Sequence, residues 1–196
     1  MAISKANISF YSRQGLWSLF LMCALPLHIW TIILAFRDFS WVTDRTNSWD
    51  AIGVMSYGLV FTFVESIAVF IASTALGILI SNKWKEKRRI ALSSVLIIVL
   101  SLWAMANHLY FLLETSLPLQ IIGFFVGFDH PLRALYVVIL ILVTPTFLVP
   151  VYFLLKSEKF FQFIQEGIER LSLLMTLYLF LDLAALAVVL IRNIRG

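Results

Sequence analysis

Charged side chains are scarce in this chain of 196 residues. They make up 13% of it, whereas a soluble domain carries about 25%. Hydrophobic residues make up 61%, and the mean hydropathy is +0.95. A water-soluble globule of this size could not bury so many apolar side chains, and a disordered or collagen-like chain would not contain them. The composition therefore predicts a polytopic integral membrane protein.

Cysteine and catalytic motifs are also nearly absent. The single cysteine, Cys23, cannot form an intramolecular disulfide or a multi-thiolate metal site. No nucleotide-binding, zinc-protease or serine-nucleophile motif occurs. The net charge of +4 is scattered along the chain and does not indicate a nucleic-acid partner. We therefore expect a protein that is not an enzyme, has no nucleic-acid partner, and has the lipid bilayer and other membrane-protein subunits as its partners.

Long apolar runs divide the chain into five predicted membrane spans. A helix needs about 20 apolar residues to cross the ~30 Å hydrocarbon core. Five runs reach that length: 15–36, 51–81, 90–113, 132–155 and 171–191. The sequence predicts an all-α bundle of five transmembrane helices, with residues 1–196 forming one transmembrane domain. The second run is longer than the hydrocarbon requires, so we expect its helix to tilt, bend or project from the membrane.

The basic segment 83–89 predicts the orientation of these spans. It carries five Lys or Arg residues and one Glu, and basic connections stay on the cytoplasmic side. The N-terminus and the connection 156–170 are then cytoplasmic, and the C-terminus lies outside a plasma (inner) membrane. Arg192 and Arg195 would lie outside against the rule, but signals nearer the N-terminus outweigh them.

Two connections are too apolar to be simple loops. Residues 117–128 are too short to span and too hydrophobic for water, so we predict a re-entrant or interfacial segment on the outer side. Residues 156–170 place apolar side chains along one helical face, which predicts an amphipathic helix lying on the inner membrane surface. The alternative is an extension of the fourth span that packs on the bundle.

Two acids, Glu65 and Asp182, fall near mid-depth in the second and fifth spans. Ionisable groups in a bilayer are costly and mark functional sites. Apart from Arg133 at the very start of the fourth span, no Lys or Arg occurs within the spans, so we expect no internal salt bridge at that depth. Each acid is then protonated, or the two share a proton or a bound cation. The alternatives are hydrogen bonds between helices, a proton or cation pathway, and binding of a substrate or lipid headgroup.

Two histidines, His28 and His108, lie in the outer halves of spans one and three. Their depths differ by only about 5 Å at 1.5 Å per residue. Two facing imidazoles could ligate a haem or a chlorin-type pigment. The alternative is that each is a hydrogen-bonded histidine in the core.

The outer end of span three carries a polar face. Trp103, Asn107, Tyr110 and Glu114 follow at helical spacing, and the connection after it adds Asp129 and His130. The predicted outer polar cluster consists of Asn107, Glu114, Asp129 and His130. With His108 beside it, this cluster has ligand types that suit a divalent metal, but its spacing matches no known signature. We expect a hydrogen-bonded cap over the helix ends and no metal site.

These observations leave three functional hypotheses open. The first is a non-enzymatic structural or accessory subunit of a larger membrane complex. The second is a small proton- or cation-coupled transporter that uses Glu65 and Asp182. The third is a haem- or pigment-binding electron-transfer subunit that uses His28 and His108. No cofactor is expected under the first two hypotheses.

Overall fold

A computed structural model describes residues 11–79, 84–112 and 118–195. These residues form six helices joined by short connections, and no strand occurs among them. The helices are α1 (Arg13–Thr43), α2 (Ser48–Leu79), α3 (Glu86–Leu112), α4 (Leu119–Val126), α5 (Pro131–Lys156) and α6 (Glu158–Arg195). All except α4 are long and apolar enough to cross a membrane. The predicted all-helical fold with five apolar spans is confirmed.

The long helices extend past the apolar runs that predicted them. α1 begins after Ser12, whose hydroxyl accepts a hydrogen bond from the Gly15 N–H at 3.0 Å, and it continues beyond residue 36 to Thr43. α2 has 32 residues and measures about 48 Å at 1.5 Å per residue. The length of an apolar run predicts only the part of a helix that would lie in the hydrocarbon core of a membrane. Polar residues at the ends therefore continue the helix beyond it.

α6 differs from the expected arrangement of residues 156–170. The structure forms no separate surface helix there, and Glu158–Arg195 is one helix of 38 residues. Ser157, in an extended conformation, is the single residue between α5 and α6. The expected inner amphipathic helix is wrong because Phe161 and Ile168 are buried in the bundle core, in line with Met175. The segment extends the fifth span and not the fourth.

α4 lies within the apolar segment expected at 117–128. Its eight residues measure about 12 Å, too short to cross a membrane. Phe124, Phe125 and Phe128 pack on one another with ring centroids 5.3–6.4 Å apart. α4 contacts α5, which itself buries Leu154 and leaves most of its apolar side chains exposed. α4 and α5 therefore form the edge of the bundle.

α1 is the central helix. It contacts α2, α3 and α6, and buried residues of α1 such as Leu21, Met22 and Leu25 pack with Ala91 and Val95 of α3. Four other α1 residues, Leu19, Cys23, Ala24 and His28, are also fully buried. Among the described residues, those in the middle of α1 therefore form the most deeply buried segment.

Polar contacts tie the helices together at each end of the bundle. At one end, here called the basic end, Glu86 accepts hydrogen bonds from the Ser12 N–H and hydroxyl at 2.7 Å, and Arg88 pairs with Glu158 at 2.7 Å. At the opposite end, Arg192 pairs with Asp50 at 2.7 Å. α1, α3 and α6 therefore start at the basic end and run in the same direction.

Candidate functional site

A buried polar contact between two side chains joins α1 to α6. His28 is fully buried and Asp182 is 7% exposed. The Nε2 atom of His28 lies 3.0 Å from Oδ1 and 2.9 Å from Oδ2 of Asp182. Its other ring nitrogen, Nδ1, lies 2.8 Å from the carbonyl oxygen of Ala24. Both nitrogens of the ring are therefore engaged inside the bundle.

The hydrogen-bond partners of the two ring nitrogens show how many protons the pair holds. A carbonyl oxygen only accepts, so His28 Nδ1 must carry a proton and donate it to Ala24. One further proton then lies between Nε2 and the carboxyl group of Asp182. If Nε2 holds it, the pair is an imidazolium and a carboxylate, and if Asp182 holds it, both groups are neutral. The pair has no net charge in either form, which suits its burial.

The prediction from the sequence did not pair Asp182 with His28. It rested on the absence of Lys and Arg at mid-depth in the spans, whereas the partner in the structure is a histidine. A signal for this pairing exists in the sequence. His28 lies 8 residues before the end of the run 15–36, and Asp182 lies 9 before the end of 171–191. Because both spans run in the same direction, the two residues fall at one depth.

A large cavity adjoins Asp182 on the side of the basic end. Its volume is about 1170 Å³ and its walls come from α1, α2 and α6. Phe20 lines it, and the Phe20 ring centroid lies 5.6 Å from that of Trp17, 6.2 Å from that of Phe63 and 5.7 Å from that of Phe70. Besides Asp182, the polar side chains of the wall are those of Arg13 and Gln14 at the end of the helix. We call this space the basic-end cavity.

A second cavity, of about 460 Å³, lies on the side of the opposite end between α1 and α2. We call it the opposite-end cavity. Its wall includes Glu65, Asp38 and His108, together with the hydroxyls of Thr31 and Thr62. Glu65 is exposed and has no hydrogen-bond or ion-pair partner among the described residues. Glu65 and Asp182 therefore belong to different cavities, and the structure does not bring the two acids together.

The His28–Asp182 pair lies between the two cavities along α1. One stripe of α1, at spacings of three or four, consists of Arg13, Trp17, Phe20, Ala24, His28, Thr31, Ala35 and Asp38. Its first three members line the basic-end cavity and its last three line the opposite-end cavity. Next to His28 on this stripe, the hydroxyls of Thr31 and Thr62 are hydrogen-bonded at 2.6 Å.

His108 has a different partner from His28. The indole N–H of Trp30 donates to His108 Nδ1 at 2.9 Å. An indole N–H only donates, so Nδ1 is unprotonated and the proton of the neutral ring lies on Nε2. The structure does not bring His28 and His108 together, and neither nitrogen of His28 is available to iron. This geometry favours a proton-sharing role for His28 over haem ligation.

The predicted outer polar cluster is only partly described. Glu114 lies outside the described residues, and Asn107, Asp129 and His130 are exposed. No hydrogen bond joins these three to one another in the part of the chain that the structure describes. Trp103, from the same face of α3, donates to the Thr146 hydroxyl at 3.0 Å. Among the described residues, no group of three or more His, Cys, Asp or Glu could hold a metal ion.

Comparisons with known proteins add no assignment. No known protein family, no curated protein and no solved structure matches the chain.

Proposed function

We propose that this chain is a small proton-coupled transporter in which the His28–Asp182 pair passes protons between two cavities. The observation that carries the proposal is the position of the buried pair along α1, between the residues that line the basic-end cavity and those that line the opposite-end cavity. Glu65, the second acid expected to take part, lines the route from the opposite end.

The charge balance of the pair supports this role. Moving a charge to the centre of a bilayer is costly, but a pair that holds one proton between an imidazole and a carboxyl group has no net charge. In the proposed path, the pair takes up a proton from the opposite-end cavity when the hydrogen bonds of His28 rearrange, and a proton that leaves Asp182 enters the basic-end cavity, whose wall Asp182 lines. The hydroxyls of Thr31 and Thr62, hydrogen-bonded at 2.6 Å, lie in the wall of the opposite-end cavity, and Thr31 is one turn from His28 on α1.

Proton flux into proteoliposomes tests the proposal. The purified protein is reconstituted, a pH gradient is imposed, and a dye inside the vesicles reports the rate. We expect His28→Gln to abolish the flux, since an amide cannot carry the proton, and Glu65→Gln to slow it. Asp129→Asn, the same kind of change at an exposed acid, serves as the matched control. Wild-type flux in a folded His28→Gln protein contradicts the proposal.

We further propose that the protein lies in the plasma (inner) membrane with its basic end in the cytoplasm. Lys85, Lys87, Arg88 and Arg89 supply the described part of the basic segment, and such residues stay inside. The hydrogen bond between Ser12 and Glu86 supports an N-terminus on the same side. α4 would then meet the outer surface as an interfacial or re-entrant helix, and the C-terminus would lie outside.

Reporter fusions test this orientation. A reporter active only in the cytoplasm should work when fused after residue 85 and fail when fused after residue 195. The reverse pattern would overturn the orientation. It would leave the proton pathway intact and reverse only its direction.

A second candidate function, as an accessory subunit of a membrane complex, is favoured by Glu65. Its carboxyl group is exposed in the middle of α2 with no partner among the described residues, and exposed acids at that depth are covered by protein or water. A hydrogen-bond donor from another subunit would satisfy it. α5, with Leu154 as its buried residue, offers further surface for a partner.

Purification in mild detergent tests this second candidate. We expect a complex of fixed stoichiometry that survives Glu65→Gln, because an amide still forms hydrogen bonds, and dissociates with Glu65→Leu. A single monomeric species for the wild-type protein, extracted from its native membrane under the same conditions, contradicts it.

A further inference from the structure

We infer that the basic-end cavity binds a bulky lipophilic cation, which takes the place of the proton held by His28 and Asp182. This inference rests on the proposed function and names its substrate class. Three properties of the cavity carry it: its size, its aromatic wall and its single acid.

The size of the cavity sets the scale of the ligand. Sites for small molecules usually have volumes of roughly 300–1,000 Å³, and this cavity has about 1170 Å³. An inorganic cation would leave almost all of that space unfilled. The wall is apolar apart from Asp182 and the two residues at the basic end. A ligand that fills the cavity is therefore an organic molecule with a largely apolar surface.

The aromatic side chains favour a positive charge on that molecule. Trp17, Phe63 and Phe70 surround Phe20 at centroid distances of 5.6–6.2 Å. All four rings line the cavity, and Phe20 and Phe70 also pack against the core behind it. The face of an aromatic ring attracts cations, and this attraction is strongest where water is excluded.

The charged groups around the cavity also favour a cationic ligand over an anionic one. His28 contacts Asp182 from α1, Glu65 of α2 lines the other cavity, and Tyr178 of α6 packs in the hydrophobic core. Arg13 is about 22 Å from His28 along α1 at 1.5 Å per residue. An anionic ligand would have to bind at that end, but the carboxylate of Glu86 already occupies the N-terminus of α1.

Binding and proton release balance in charge. Before binding, the pair holds one proton between Nε2 and the carboxyl group and has no net charge. When a monovalent cation enters, that proton leaves to the solvent and the cation lies beside the Asp182 carboxylate. His28 Nδ1 keeps its own proton and still donates it to the carbonyl oxygen of Ala24. The charge of the site is unchanged, and one proton is exchanged for one cation.

Equilibrium binding of tetraphenylphosphonium to the purified full-length protein tests the inference. We expect its affinity to rise up to tenfold per pH unit, with one proton released per cation bound. Tetraphenylborate, of the same shape and opposite charge, is the control ligand and should bind far more weakly. Equal binding of the two ions, or binding of the cation that does not change with pH, would overturn the inference.

Two variants separate the contribution of the acid to cation binding from that of the aromatic wall. Asp182→Asn should abolish the pH dependence of cation binding. Phe20→Leu removes an aromatic face while the site stays apolar. It should lower the affinity for the cation by roughly threefold to thirtyfold and have little effect on the affinity for the anion. A Phe20→Leu protein that binds the cation like the wild type would show that the cluster is not the site.

The same preparations separate this inference from the proposed function. Proton flux that requires His28, in a protein that does not bind tetraphenylphosphonium, overturns the substrate class and leaves proton transport standing. Cation binding with proton release, in a protein that shows no proton flux either with or without the cation, overturns transport and leaves the binding site standing.

Discussion

At the scale of single residues, the hydrogen bond from His28 to Ala24 decides what the imidazole can do. It fixes one ring proton on Nδ1 and turns Nε2 towards Asp182. His108 is fixed in the opposite sense, because Trp30 donates to its Nδ1. Two histidines of similar depth therefore have different chemistry. His28 shares a proton with an acid, and His108 offers only an N–H to the opposite-end cavity.

Removing the ring of His28 should destabilise the protein. His28→Ala leaves the Asp182 carboxyl group buried without its partner, and we expect a loss of roughly 1–3 kcal/mol in the free energy of unfolding. The measurement is an unfolding titration in mixed micelles. Asp129→Asn, at an exposed site, should stay within about 0.5 kcal/mol of the wild type. Equal stability of the two variants would show that the pair contributes nothing to folding.

At the scale of helices, the close approach of α1 to α3 depends on Gly15. A Cβ atom there would collide with Oε1 of Glu86 and Cδ1 of Ile90. That glutamate oxygen accepts both hydrogen bonds from Ser12, so moving it would break the connection between the two helix ends. The absence of a side chain at Gly15 therefore allows α1 to approach α3 closely at the basic end.

Gly15→Ala should destabilise the protein by about 1–3 kcal/mol through this collision. Gly123→Ala in α4 is the matched control, because nothing lies within 4 Å of a Cβ atom there. Alanine favours helix over glycine by up to about 1 kcal/mol, so the control should be neutral or stabilising. The same unfolding titration compares them, and a Gly15→Ala protein as stable as Gly123→Ala would contradict this packing.

The helices also show what a sequence can and cannot predict. The five spans follow from local hydrophobicity, and each predicted run lies largely within a helix of the structure. The fate of residues 158–170 does not follow, because an amphipathic face is equally satisfied by a membrane surface or by a bundle. Phe161 and Ile168 pack on α1 and α3 residues that are far away in the sequence. A local sequence pattern does not predict such a contact.

At the scale of the whole molecule, the candidate site was predictable only in part. Asp182, Glu65 and His28 stand out in the sequence as polar residues within spans, and all three line cavities or the boundary between them. Their grouping is different from the expected one, since His28 and Asp182 are 154 positions apart. Which residues share a depth could be read from the runs, but which helices touch is set by packing along their full length.

The arrangement of the cavities gives the molecule its proposed function. α1 runs through the centre of the bundle, and its stripe from Arg13 to Asp38 meets one cavity, the buried pair and the other cavity in turn. The two cavities are lined by opposite halves of α1. In the proposed proton transfer, the pair would take up a proton from one cavity and release a proton to the other, with the shared proton moving between His28 and Asp182.

The most direct test of this account is the proton flux of Asp182→Asn in proteoliposomes, driven by a potassium diffusion potential and compared with the wild type and Asp129→Asn at equal protein content. Asparagine preserves the size of the side chain but cannot hold the shared proton. The account predicts flux in the wild type and in Asp129→Asn, and no flux above that of empty vesicles in Asp182→Asn. Equal flux in all three proteins, with Asp182→Asn correctly folded, would contradict it.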